Sequence, residues 1–181
     1  MKKGAKLLLA GTGGLVAGAA AVGAAAYAST KYLIRIALDR DYPILKNAEK
    51  AKEQLCGYGK CGEFFDAMMA AAEKLETTPH HTVKIQSYDG QTLVGHWYPS
   101  ENTQRILIAM HGWRSCWSTD FGMIADFWRQ QNCSVLYAEQ RGQGSSGGAY
   151  MGFGMMERYD CLEWIRWVNS HSAEMPVYLA G

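Results

Sequence analysis

Two short stretches carry the residues best suited to chemistry. The first, His111-Gly112-Trp113-Arg114-Ser115, follows directly on the apolar run Ile106 to Met110. The second runs from Glu139 to Gly148 (EQRGQGSSGG) and follows Ser134 to Ala138. Within it, Gly142 to Gly147 reads Gly-x-Gly-x-x-Gly, the template of a dinucleotide-binding loop, where glycines let the backbone approach a pyrophosphate at a helix N-terminus. That chemistry requires the loop to follow the first strand of a βαβ unit and to open a helix at its third glycine. Here the preceding strand is not the first of the alternating set, and Gly148 to Gly154 separate the loop from the next helical pattern. Glu163, at the distance of a ribose ligand, falls inside a helix. The glycines therefore serve to turn the chain, and no cofactor is expected.

Other reactive side chains are scattered. Ser115, Ser118, Ser145 and Ser146 lie in loops without the sharp strand-to-helix turn that exposes a nucleophile. His171 follows a helix and reads as a surface residue. His80 and His81 precede a strand, and His96, within a hairpin, is expected to be exposed. The five cysteines, Cys56, Cys61, Cys116, Cys133 and Cys161, form no disulfide framework. Cys56 and Cys61 could bridge in an oxidising compartment, but free thiols are the simpler reading. The one close pair lacks a second, so zinc spacing is missing.

The elements that must position these loops follow from periodicity. Phe65, Met68, Met69 and Ala72 lie on one helical face within residues 63–76, and Thr77-Thr78-Pro79 ends that helix. Val83 and Ile85 then alternate with polar neighbours, Asp89-Gly90 supplies a turn, and Leu93 to Tyr98 resumes as a strand, a β-hairpin. Ile106 to Met110 is apolar throughout, as in a strand buried on both faces. A helix with Phe121, Ile124, Ala125 and Trp128 on one face leads to a strand at Ser134 to Ala138. A second helix turns Cys161, Leu162, Ile165 and Val168 inward, and Val177 to Ala180 forms a third short strand. A hairpin leading into β-α-β-α-β implies an α/β fold, its mostly parallel sheet covered by helices on both sides.

Of the 181 residues, 48% are hydrophobic and 19% charged, enough for one globular domain and not comfortably for two. The net charge of +1, without a long basic run, argues against a nucleic-acid partner. The N-terminus differs from the rest. Leu7 to Ser29 carries no charge and follows Lys2, Lys3 and Lys6. Its length suits an uncleaved transmembrane helix. A cleavable signal peptide ending at Ala26-Tyr27-Ala28 and a soluble Ala/Gly-rich tail are the alternatives. The denser lysine cluster before the span slightly favours an extracytoplasmic domain. The expected organisation is a membrane anchor or signal segment over 1–30, a helical stalk and cover over 31–79 interrupted at Pro43, and the α/β domain over 80–181.

From about residue 83 onward, the two loops and their strands resemble the α/β-hydrolase superfamily. The likeness is to single-domain bacterial serine hydrolases of the esterase and serine-aminopeptidase type, some of which carry an N-terminal anchor. In that family a buried strand ends in His-Gly-x, matched by His111-Gly112-Trp113. The next strand ends in Asp-x-Arg-Gly-His-Gly-x-Ser-x-Gly, matched from Glu139 to Gly148 with Glu139 and Gln143 in place of Asp and His. The third strand leads into Gly-x-Ser-x-Gly, and Gly181 stands at its first glycine. The resemblance implies an N-terminal portion of a serine hydrolase with an incomplete sheet, its serine, acid and histidine lying beyond residue 181, so that this chain alone is inactive. It assigns the backbone N–H of Trp113 as an oxyanion donor, with His111 and Gly112 shaping the turn. Trp113 and Trp117 are candidates to line an acyl pocket, with packing an equal alternative. The implied substrate is a small molecule or peptide bearing an acyl group. A non-enzymatic relative acting as a binding or scaffold protein is the alternative reading.

Overall fold

The computed structural model describes residues 2–41, 61–172 and 175–181, with the side chains of residues 2–17 and of Cys61 left aside. Helix α1 (Lys2–Leu38) is followed by α2 (Cys61–Thr77), the hairpin strands β1 (His81–Gln86) and β2 (Thr92–Tyr98), then β3 (Arg105–Met110), α3 (Trp117–Gln130), β4 (Cys133–Ala138), α4 (Glu157–His171) and β5 (Val177–Ala180). The strands form one mixed sheet in the order β1-β2-β4-β3-β5. β1 pairs antiparallel with β2, and β2 antiparallel with β4. β4 and β5 flank β3 in parallel, Met110 lying opposite Ala138 and Ala109 opposite Ala180.

The period-2 geometry of strands sorts the core into two layers. Ala109, Val135 and Tyr137 face Leu75 of α2 and Trp117 and Phe121 of α3. Ile106, Ile108, Leu136 and Ala138 face Trp164 and Val168 of α4. Every residue of β4 is buried, as expected for a central strand with both faces covered. Helices α2 and α3 touch at Gly122, where an added Cβ would lie 2.7 Å from the backbone nitrogen of Ala72. Arg141, between the sheet and α4, is 6% exposed and donates two 2.6 Å bonds to the Asp160 carboxylate. It also reaches Asp89 in the hairpin turn, at 2.9 and 3.3 Å.

Several expectations are corrected. Ile124 and Leu162, expected inward, are exposed. The buried face of α4 is Glu157, Asp160, Trp164 and Val168 instead, because charged residues on it meet partners above the sheet. Among the described residues no helix is long and apolar enough to cross a membrane. The segment expected as a transmembrane helix, Leu7 to Ser29, lies within α1. Its described side chains begin at Gly18, where alanine and glycine dominate and Lys31 and Arg35 follow; those of residues 7–17 lie outside the described ones. The expected stalk is helical to Leu38, while Pro43, Cys56 and the rest of 42–60 lie outside the described residues.

Candidate active site

The C-terminal ends of β3, β4 and β5 lie side by side, and parallel α/β sheets place their sites at such edges. At the end of β3 the buried His111 ties two loops together. Its Nδ1 bonds the Gly112 carbonyl at 3.0 Å, and its Nε2 accepts the Gln140 backbone N–H at 3.1 Å. An imidazole whose Nε2 accepts is neutral, with its proton on Nδ1. Burial accordingly pushes its pKa below the usual value, against the opposing pull of the Gly112 carbonyl, Asp120 and Glu139. His111 is thus built as a strap between the β3 and β4 loops.

The N–H of Gly112 donates to Asp120 Oδ2 at 2.7 Å, in the first turn of α3. Ser115 Oγ donates to the other oxygen of that carboxylate. The next N–H, that of Trp113, meets no acceptor among the described residues. The Trp113 ring is 47% exposed and stacks on Phe153, and its Nε1 donates to the Ala37 carbonyl at 2.9 Å. Arg114 follows with φ 53, in the left-handed region that residues other than glycine seldom occupy. Beside this loop opens a cavity of about 370 Å³, walled by Met110, Trp113, Met151, Phe153 and Cys161 with Arg158 among its polar lining. Gly181 sits beside the Met110 backbone. A Cβ there would stand 2.8 Å from the Met110 carbonyl oxygen, so a residue with a side chain would force the strand ends apart.

The second loop is held from beneath. Ser146 is fully buried; its Oγ donates to the Glu139 carbonyl at 2.6 Å and accepts the Val94 N–H at 2.9 Å. Glu139 Oε2 accepts the Ser145 N–H, and Gly144, with φ 52, lies so close that any Cβ would collide with the same carboxylate. Glu139 Oε1 meets His96 Nε2 at 2.8 Å, His96 Nδ1 meets His80 Nε2 at 3.2 Å, and His80 Nδ1 meets the Thr78 carbonyl at 2.9 Å. Burial pushes the Glu139 carboxyl up, but the bonds from His96 and Ser145 outweigh it and hold it below the usual range.

His96, expected exposed, is therefore 9% exposed and stacked on Trp117, since its strand lies next to β4. Trp117 itself is buried in the core with Phe121 and Tyr137. Ser118 is buried against Glu76, so Ser115, Ser118 and Ser146 all spend their hydroxyls on structure. His171 is exposed and stacks on Trp167. Cys116, Cys133 and Cys161 are free thiols. No group of metal-ligating side chains occurs among the described residues. The sequence reading missed Arg141 as the bridge between the hairpin turn and α4, although an arginine amid loop glycines is a signal for one. It also missed the docking of α1, for which no local pattern exists.

The mixed sheet in this order, with helices on both faces, is similar in fold to solved α/β hydrolases. Among solved structures, an esterase of Pyrococcus furiosus is similar at 24% identity with a TM-score of 0.52, over 59% of this chain and 42% of its own. The α/β hydrolase GrgF from a Penicillium species is similar at 21% identity with a TM-score of 0.51, over 56% of this chain and 36% of its own. The chain thus spans less than half the length of these structures. No protein-family model matches the chain, and comparison with curated proteins finds no match.

Proposed function

We propose that this chain supplies the oxyanion-loop side of a serine hydrolase site that cleaves an ester, thioester or amide through an acyl-enzyme. The observation that carries the reading is the pairing of an unengaged Trp113 N–H at the end of β3 with Gly181 at the end of neighbouring β5. A tetrahedral intermediate needs N–H donors already aimed at its oxyanion, each worth about 10²–10³ in rate. In the complete protein the nucleophile is the serine of a Gly-x-Ser-x-Gly elbow that begins at Gly181. The N–H of the residue after that serine is the second donor, and Trp113 is the first. His111 and Gly112 have no part in proton transfer, since their polar groups are engaged in holding the turn. The cavity walled by Met110, Trp113, Met151 and Phe153 takes the apolar part of an acyl substrate.

The uncharged stretch from Leu7 to Ser29 supports a further reading, that α1 attaches the protein to a membrane with the domain on the extracytoplasmic side. Retention in membranes after carbonate extraction, with Met1 intact, is the expected result; release with Met1 intact refutes it.

Labelling with a fluorophosphonate tests the enzymatic reading. The complete protein is expected to label at the elbow serine, and the 181-residue chain to stay unlabelled. Absence of label on the folded complete protein would sink the serine mechanism and favour a binding or scaffold role. Label on Ser115, Ser118, Ser145 or Ser146 would show that the site has been misplaced.

A further inference from the structure

The end of α1 is fastened to the candidate site through the groups a helix cannot satisfy by itself. The last carbonyls of any α-helix lack intrahelical partners. In α1 the Ile36 carbonyl accepts from Arg114 Nη2 at 2.8 Å, and that of Ala37 accepts from Trp113 Nε1 at 2.9 Å. The Leu38 carbonyl accepts from the Met151 N–H at 2.8 Å, and that of Asp39 again from Arg114 Nη2 at 2.7 Å. Donors from the first site loop and from Met151, just past the second, thus take four successive carbonyls, three in α1 and that of Asp39 after it. The guanidinium of Arg114 also lies at the negative end of the helix dipole, which favours a cation there.

The next residue grips the other loop. Arg40 Nη2 donates to the Gly144 carbonyl and Nη1 to that of Ser146, each at 2.6 Å, and its backbone N–H donates to the Ala149 carbonyl at 3.0 Å. Asp39 and Tyr150 complete a short antiparallel bridge. Before this turn, α1 is exposed from Gly18 to Arg35, so its terminal turn is where the helix meets the domain.

We propose that the end of α1 with the two residues after it, 36–40, is a positioning clamp for the oxyanion loop, with Arg114 and Arg40 as its positioning residues. The proposal rests on the hydrolase reading for its consequence, but not for its structural basis. The Trp113 N–H points where it does because of its two neighbours. Gly112 is pinned to Asp120, and Arg114 is held in a left-handed conformation. The two bonds from the Arg114 side chain to α1 hold that conformation, and the Trp113 indole bond holds the loop against the same turn. Arg40 ties the neighbouring loop to the same turn, so a shift of α1 moves both loops together.

The test has two arms. In the 181-residue chain, amide hydrogen exchange at Gly112, Ser115 and Met151 is expected to rise about tenfold in Arg114→Ala and Arg40→Ala, while amides of β3 and β4 change little. Lys31→Ala, on the exposed length of α1, is the control and should leave all of them unchanged. Unaltered exchange in the loops, or an equal rise throughout β3 and β4, overturns the clamp; the second result would mean general stabilisation only. In the complete protein, with p-nitrophenyl acetate as probe, Arg114→Ala is expected to lower kcat about tenfold or more with KM within about twofold, since small misplacements of a catalytic donor cost that much. Arg114→Lys, which keeps a charged donor, should restore much of it. A raised KM with unchanged kcat overturns the proposal. If the wild-type complete protein hydrolyses no ester, the hydrolase reading fails, and the exchange arm alone decides the clamp.

Discussion

Replacing Arg141 with methionine breaks a buried bidentate ion pair. The Arg141 and Asp160 side chains are 6% and 3% exposed, and two 2.6 Å bonds join them in a bidentate pair. The Arg141→Met variant retains much of the apolar stem and removes the charge, leaving the Asp160 carboxylate in the interior. Breaking one side of such a pair costs about 3–5 kcal/mol, because the abandoned charge stays desolvated. Asp89 adds little to that cost, since its partly exposed carboxylate can turn to water. For a chain of this size the loss corresponds to a fall in Tm of about 6–20 °C, at about 2–4 °C per kcal/mol. The cost should shrink as pH is lowered, because a protonated Asp160 no longer carries the stranded charge. Arg141→Met with Asp160→Leu, which removes both charges, should recover most of the stability. Urea unfolding followed by circular dichroism measures all three proteins. A single-variant cost under about 1 kcal/mol, or a double variant no better than the single, would refute the claim that a stranded carboxylate sets the magnitude.

Other outcomes follow from the same geometry. Ser146→Ala removes one hydroxyl that serves both the Val94 N–H and the Glu139 carbonyl, and should cost about 1–3 kcal/mol, read by urea midpoint, with faster exchange at Val94. Asp89 is held down to about 2 from 3.8, chiefly by Arg141 and then by Ser87. Its folded-state value lies below its unfolded one, so its contribution is complete above about pH 4 and is lost as pH falls through about 2. Urea midpoints measured across that window should fall less steeply in Asp89→Asn. In the complete protein, Trp113→Pro removes the proposed donor and should cost about 10²-fold or more in kcat on a small ester. Trp113→Ala keeps the N–H and should cost less, through the lost bond to Ala37; equal losses would withdraw the oxyanion assignment.

Chain order and strand identity were legible in the sequence because they depend on local periodicity. The hairpin, the three parallel strands and the helices between them announce themselves through alternation, apolar runs and helical faces within a few residues. Gly142 to Gly147 could likewise be read as a turning loop, since the distance to the next helix is a local fact. The positions of His111, Gly112, Trp113 and Gly181 at neighbouring strand ends follow once the strands are parallel. What periodicity does not encode is which polar groups meet across long separations. The side chains of His96 and Glu139 meet because β2 lies beside β4, though 43 positions separate them in the chain. Asp160 and Glu157 are charged residues on the buried face of α4, where a hydrophobic pattern would put Cys161 and Leu162. Their burial is tolerable only because Arg141 and the N–H groups of Gly152 and Gly154 come to meet them. The end of α1 obeys the same rule, since unsatisfied carbonyls are inherent in a helix but their partners, Trp113, Arg114 and Met151, are settled by the tertiary fold. Apolar burial has no direction and can be read from composition and period, whereas a buried polar group needs one particular partner at about 3 Å, and only the folded chain brings that partner there.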